Sequence, residues 1–232
     1  MTPRWLSALA ALFLSVPLAA APDAHAIARA VESRYQRAKT LKATFFEAYQ
    51  EGGGRRISES GTVYFSRPGR MRWEYESPQS KLFVVDGTNA WFYVPANHTA
   101  SRAKIKQSSD WRTPLALLAG KADLGQLCRD IELVDPSAAK NDDEKALAAG
   151  DVVLRCTPKG DASSSDLKGV TLEVDPQDYL VHVVIREAGD ISTEFRFGNW
   201  QANIAVPEAQ FHFQPPAGVS IVDEGGLQDE LH

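Results

Sequence analysis

Histidine and cysteine are scarce in this chain, with five histidines and two cysteines among 232 residues. None of His25, His98, His182, His212 and His232 has a second histidine or cysteine at metal-ligand spacing, so the familiar zinc frameworks are excluded and no metal or cofactor is expected. A G-x-S-x-G elbow is absent, which removes the common serine-hydrolase arrangement. Gly120-Lys121 lacks the upstream glycine of a phosphate loop, and Gly52-Gly53-Gly54 reads as a tight turn before Arg55-Arg56. The acidic residues are scattered, with no pair assignable to glycoside hydrolysis. Positive charge is also short. A net charge of −5 is opposite to the footprint of a nucleic-acid binder.

Long apolar runs are missing apart from one. Arg4 followed by Leu6–Val16 has the charge and apolar stretch of a leader, and the run is well short of the ~20 residues that span a bilayer. Small residues follow Pro17, and a cut after Ala20 or after Ala26 fits them. The expected domains are a signal peptide over 1–26, one functional domain over 27–222 and an acidic tail over 223–232. No cysteine lies near the cut, so no lipid can be attached there. The expected mature protein is exported and soluble. Cys128 and Cys156 then meet an oxidising compartment. Pairing Ile131–Val134 with Asp151–Cys156 in a hairpin centred near Asp142 would place them face to face. Two readings stand: a disulfide, worth about 3–4 kcal/mol on the chain-entropy model, or two separate buried thiols.

What is abundant is short strand-like segments. Ala26–Leu41 has helical spacing, with Ile27, Val31, Tyr35 and Ala38 on one stripe. The period then changes: Thr44–Gln50, Gly61–Ser66, Met71–Tyr75, Leu82–Val85 and Ala90–Val94 predict an antiparallel meander, with Asp86-Gly87 marking a hairpin. Asp110, Pro114 and Gly120 bracket a short helix that is apolar nearly all round. Strands are expected again at Val170–Val174, Tyr179–Glu187, Ile191–Gly198 and Ala209–Gln214. Pro136–Gly150 and Pro158–Asp166 read as polar loops. The predicted fold is mainly β with α: one curved antiparallel sheet, an incomplete β-barrel covered by a lid of two or three helices.

The densest feature is Ser60–Tyr75, SGTVYFSRPGRMRWEY, two strands joined at Arg67-Pro68-Gly69. Alternation places Val63, Phe65 and Arg67 on one face of the first strand, and Met71, Trp73 and Tyr75 on one face of the second. An arginine at that strand end can donate charge-assisted hydrogen bonds to backbone carbonyls of a covering segment. The bland alternative is an ordinary core with an arginine at its rim.

This block, with VVDGTNAWFY at Val84–Tyr93, TPLALLA at Thr113–Ala119 and FHFQPPAGVSIV at Phe211–Val222, resembles the periplasmic outer-membrane lipoprotein carriers of the LolA type. The resemblance covers essentially the whole mature chain. It implies a cavity for acyl chains beneath a helical lid, a periplasmic location, and no bond made or broken. It also implies partners: acylated lipoproteins, an inner-membrane lipoprotein-releasing ABC transporter and an outer-membrane receptor, with a monomeric carrier between them. By this likeness Arg67 is the lid latch, Trp73 lines the cavity, and Ala116, Leu118 and Tyr35 are lid positions; Leu115, Val63, Phe65 and Met71 join them as lipid-binding or lid candidates. Met71 stands where the family usually has an aromatic residue, and keeps the lining apolar. Two other readings are a LolA-like lipid or lipoprotein sensor domain and a periplasmic hydrolase.

Overall fold

The computed structural model describes residues 23–104, 124–159 and 167–223. The segment Thr113–Ala119, with Leu115, Ala116 and Leu118, lies outside them. Helix α1, Ala24–Arg37, starts at Asp23, whose Oδ1 accepts the His25 N–H at 3.1 Å. It buries Ala28, Val31 and Tyr35. It ends before the expected Leu41, because Thr40 already opens the first strand. A single turn, α2 (Leu124–Leu127), is the other α-helical piece described.

Twelve strands follow: β1 Thr40–Gln50, β2 Arg56–Ser66, β3 Arg70–Ser77, β4 Lys81–Val85, β5 Asn89–Val94 and β6 Thr99–Lys104; then β7 Cys128–Leu133, β8 Val152–Pro158, β9 Leu167–Val174, β10 Leu180–Glu187, β11 Ser192–Ala202 and β12 Ser220–Asp223. They form one open sheet in the order β12-β6-β5-β4-β3-β2-β1-β11-β10-β9-β8-β7. The sheet is not the all-antiparallel one that the sequence pattern predicts. β12 runs parallel to β6, Ser220 beside Thr99, so the sheet is mixed. The lid of two or three helices is not seen either: among the described residues α1 is the one long helix.

Two further expectations change. Ala209–Gln214 is not a strand but a 3-10 turn, Glu208–Phe211, and an extended tail. Pro207, Pro215 and Pro216 bracket the segment and remove the donors a ladder needs. It lies on the outer face, where Phe213 packs on Trp91 and Tyr93 at 5.5 and 5.3 Å. In the β7–β8 pair Ile131, not Cys128, stands opposite Cys156, and a register shift sets Cys128 beside Pro158. Cys128 and Cys156 are disulfide-bonded with Cα atoms 5.4 Å apart, so the bridge crosses the ladder off the direct pair.

Alternation sorts the sheet into two faces. Leu41, Ala43 and Phe45 of β1, Val63 and Phe65 of β2, Trp73 and Tyr75 of β3, and Phe195 and Phe197 of β11 belong to one buried cluster under α1. The outer face over β9–β11 is polar. There His182, 4% exposed, stands between Glu173 and Glu194, its nitrogens 3.5 and 3.0 Å from their oxygens.

Gly61 sits at a register shift between β2 and β3, and a Cβ there would lie 1.8 Å from the Glu74 carbonyl oxygen. The bare backbone also lets the Phe45 and Tyr75 rings, on the flanking strands, meet at 5.0 Å. Gly61→Ala is expected to destabilise by about 3 kcal/mol, the upper end of ordinary overpacking. Chemical denaturation would show it; a variant of unchanged midpoint would contradict the close approach.

Candidate functional site

The candidate site is the inner face of the sheet. Register brings the predicted residues together: Val63 is opposite Trp73 and Phe65 opposite Met71. Val63, Phe65 and Trp73 are 0, 1 and 2% exposed. Trp73 is the hub. Its ring lies edge-on to Phe45, Phe65, Phe195 and Phe197 at 4.7, 6.2, 5.8 and 6.1 Å. Met71 is partly buried and touches this cluster and a smaller one formed by Val85, Ala90, Phe92 and Ala103. Phe83 bridges the same two clusters, so the apolar face is continuous from β9 to β6. An unbranched thioether suits such a junction because it can refill a changing space.

Arg67 stands just past the end of β2. Its Nε donates to the carbonyl of Ala38 at 2.8 Å, and its backbone N–H donates to Lys39 at 3.0 Å. Ala38 is the C-cap of α1, so the guanidinium satisfies a carbonyl that the helix end leaves open. Burial lowers the Arg67 pKa from its usual value. One amino group, Nη2, is buried without a hydrogen-bond partner among the described residues. Arg67 therefore ties β2 to the end of α1 and holds a further donor in reserve.

Tyr35 is fully buried on α1 and its oxygen accepts the Leu180 N–H at 2.9 Å. Burial raises its pKa well above the usual tyrosine range, so it stays a neutral phenol. Its ring meets Trp200 at 5.6 Å, Trp200 meets Phe197 at 5.5 Å, and Phe197 meets Trp73. Helix and hub are thus linked by a chain of aromatic contacts.

Sequence reading missed a polar intruder on this face. Glu47, next inward-facing residue of β1 after Phe45, is 8% exposed and accepts the Tyr75 hydroxyl at 2.9 Å. Alternation puts Glu47 on the side of Phe45 and Tyr49, but a strand carboxyl ordinarily reads as solvent-facing, and the pairing of β1 with β2 and β11 is what shows that side to be buried. Burial pushes its pKa up to about 7 from an ordinary 4.5, against the opposing pull of the Tyr75 bond. Below pH 4.5 the carboxyl is neutral in both folded and unfolded chains and costs nothing. Between those two values only the unfolded chain ionises, so stability falls as pH rises, and the loss is complete above about 7. The gap corresponds to on the order of 3 kcal/mol. Glu47→Gln is expected to match the parent near pH 4 and exceed it by about 3 kcal/mol at pH 8. Urea midpoints at pH 4 and pH 8 would show this; parallel pH profiles for parent and variant would contradict it.

Among the described residues no group of three or more metal-ligating side chains converges, and no helix is long and apolar enough to cross a membrane. Residues 36–214 match the family model described as outer membrane lipoprotein carrier protein LolA. The chain is 33% identical over 187 residues to the outer-membrane lipoprotein carrier protein of Dechloromonas aromatica (strain RCB), covering 80% of this chain and 82% of that one. It is 31% identical to the protein of that name from Chromobacterium violaceum, over 92% of this chain and 95% of the other. The fold also matches the crystal structure of an uncharacterized conserved protein from Thermus thermophilus, with a TM-score of 0.54 and 15% identity, over 87% of this chain and 99% of that one. With its own inner-face chemistry in place, the chain belongs to the LolA family of outer membrane lipoprotein carrier proteins.

Proposed function

We propose that this protein is a periplasmic carrier that receives the acyl chains of lipoproteins on the inner face of its sheet and delivers them toward the outer membrane. The observation that supports it most is the continuous apolar face centred on Trp73, on an open sheet with one long helix tied across it by Arg67. The function is sequestration, not catalysis. A bare acyl chain of about 15 methylenes costs on the order of 12 kcal/mol in water, so it needs a shield in transit. The described form is closed on itself, its aromatic side chains filling the face. Cargo then binds by displacing them, which requires α1 to move. Arg67 supplies the restraint. In this reading Leu115, Ala116 and Leu118 are lipid-binding residues, and an inner-membrane transporter and an outer-membrane acceptor load and unload a monomeric carrier.

The leader is removed upstream of Asp23 in this reading, because a cut after Ala26 would delete the cap and the first three residues of α1. Intact mass spectrometry of protein purified from its native periplasm tests both points. Expected are a mature N-terminus that retains Asp23 and a co-purifying acylated polypeptide. Turnover of an ester or glycoside by a lipid-free preparation would contradict the carrier reading.

A further inference from the structure

Among the described residues, one buried polar spot on the apolar face has a specific chemistry. Glu47 and Tyr75 are hydrogen-bonded on that face, 8 and 7% exposed. Thr193 of β11 is opposite Tyr49, one diagonal step from Glu47, which is opposite Phe195. Its hydroxyl is buried, 3% exposed, and has no hydrogen-bond partner among the described residues. An orphaned buried hydroxyl is costly, and it sits one diagonal step from a carboxyl whose pKa burial raises to about 7, so that the carboxyl is mostly protonated below that pH. A protonated carboxyl whose Oε2 serves Tyr75 still has an O–H to donate. Two donors without an acceptor therefore lie one residue beyond the Trp73 cluster.

We propose that Glu47 and Thr193 form a polar subsite that holds the ester or amide carbonyl at the head of a bound acyl chain, with Tyr75 positioning the Glu47 carboxyl. The proposal rests on the carrier reading and names which part of the cargo binds where. A carbonyl is an acceptor attached to an apolar chain, which is what two donors at the end of an apolar face can satisfy. An anionic head group fits less well. Glu59, directly opposite Glu47 on β2, adds negative charge, and Lys81 of β4 is engaged with it in an ion pair at 2.5 Å. The other groups packed around Glu47 are Tyr75 on β3 and Tyr49 on its own strand, while β11 contributes Phe195 and Thr193, neither ionisable there.

Because only the protonated carboxyl can donate, carbonyl binding takes up a proton. Two fluorescent probes of equal chain length separate the possibilities: a pyrene-labelled diacylglycerol and a pyrene-labelled alkane without a carbonyl. The parent protein is expected to bind the diacylglycerol roughly tenfold more tightly at pH 6 than at pH 8, the change in protonated fraction about a midpoint near 7. Alkane affinity should change less than about twofold over the same range. Glu47→Gln keeps a donor and should bind the ester equally at both pH values. Thr193→Val should lose several-fold in ester affinity and little in alkane affinity. Parallel pH profiles for the two probes, or a pH step that survives in Glu47→Gln, would overturn the subsite while leaving the carrier reading intact. Failure of both probes to bind at any pH would overturn both.

Discussion

Arg67→Leu is expected to leave the protein folded yet slow its release of cargo by roughly 10- to 100-fold. The stability cost should be small, because the variant loses the bond to Ala38 but also frees the protein from a half-buried guanidinium with an unpartnered amino group. The functional effect comes from the equilibrium between closed and loaded forms. A hydrogen bond to a charged donor contributes about 1.5–3 kcal/mol, and each 1.4 kcal/mol is a factor of ten. Removing it from the closed form alone shifts the balance toward the loaded form by that amount. The measurement is the transfer rate of a purified lipoprotein from carrier to acceptor membranes, alongside the melting temperature. Parent-like transfer by a folded Arg67→Leu protein would remove the latch from the account. Arg67→Lys should fall between them, since an ammonium can still reach one carbonyl but has no guanidinium fork.

Trp73→Ala acts on the same face in the opposite sense. Trp73 touches four aromatic rings at 2% exposure, and truncating it leaves a void that none of them can fill without moving off its contacts. A loss of about 3–5 kcal/mol is expected, equivalent to a fall of about 10 °C or more in melting temperature for a domain of this size. The void is apolar and should stay dry, so an acyl chain can occupy it. Acyl lipid is therefore expected to raise the melting temperature of Trp73→Ala more than that of the parent. Equal shifts would mean that cargo does not reach the Trp73 cluster. A melting temperature within a degree or two of the parent would mean that the cluster is not the core of the fold.

How far the residues alone carry this account depends on how local each determinant is. The meander from Thr44 to Val94 is legible because alternation, Arg67-Pro68-Gly69 and Asp86-Gly87 act within a few residues. Gly69 and Gly87 do take positive φ, and Asp86 Oδ1 accepts the Thr88 and Asn89 N–H groups at 2.7 Å. β6 and β12 are not legible in that way. Thr99–Lys104 has no large apolar side chain, and Ser220–Asp223 becomes a strand only by pairing with it across a long sequence separation. Ala209–Gln214 misleads for the converse reason: Phe211 and Phe213 are apolar and alternate, but they pack onto an outer face instead of extending a ladder. At the site, Val63, Phe65, Met71 and Trp73 follow from alternation and one turn. Glu47 does not stand out, because a carboxyl in a strand ordinarily reads as solvent-facing. Only the pairing of β1 with both β2 and β11 shows that its side of the strand is the buried one.

The inner and outer faces of the sheet offer rival apolar surfaces, since Leu82, Phe213 and Ala209 line an open groove with Arg72 and His212 on the outside. Photo-crosslinking with a lipoprotein that carries a diazirine in its acyl chain distinguishes them most directly. The label is expected on peptides containing Phe65, Met71, Trp73 or Phe195. Label confined to Trp91 and Phe213, or no acyl-dependent label at all, would contradict an acyl pocket on the inner face.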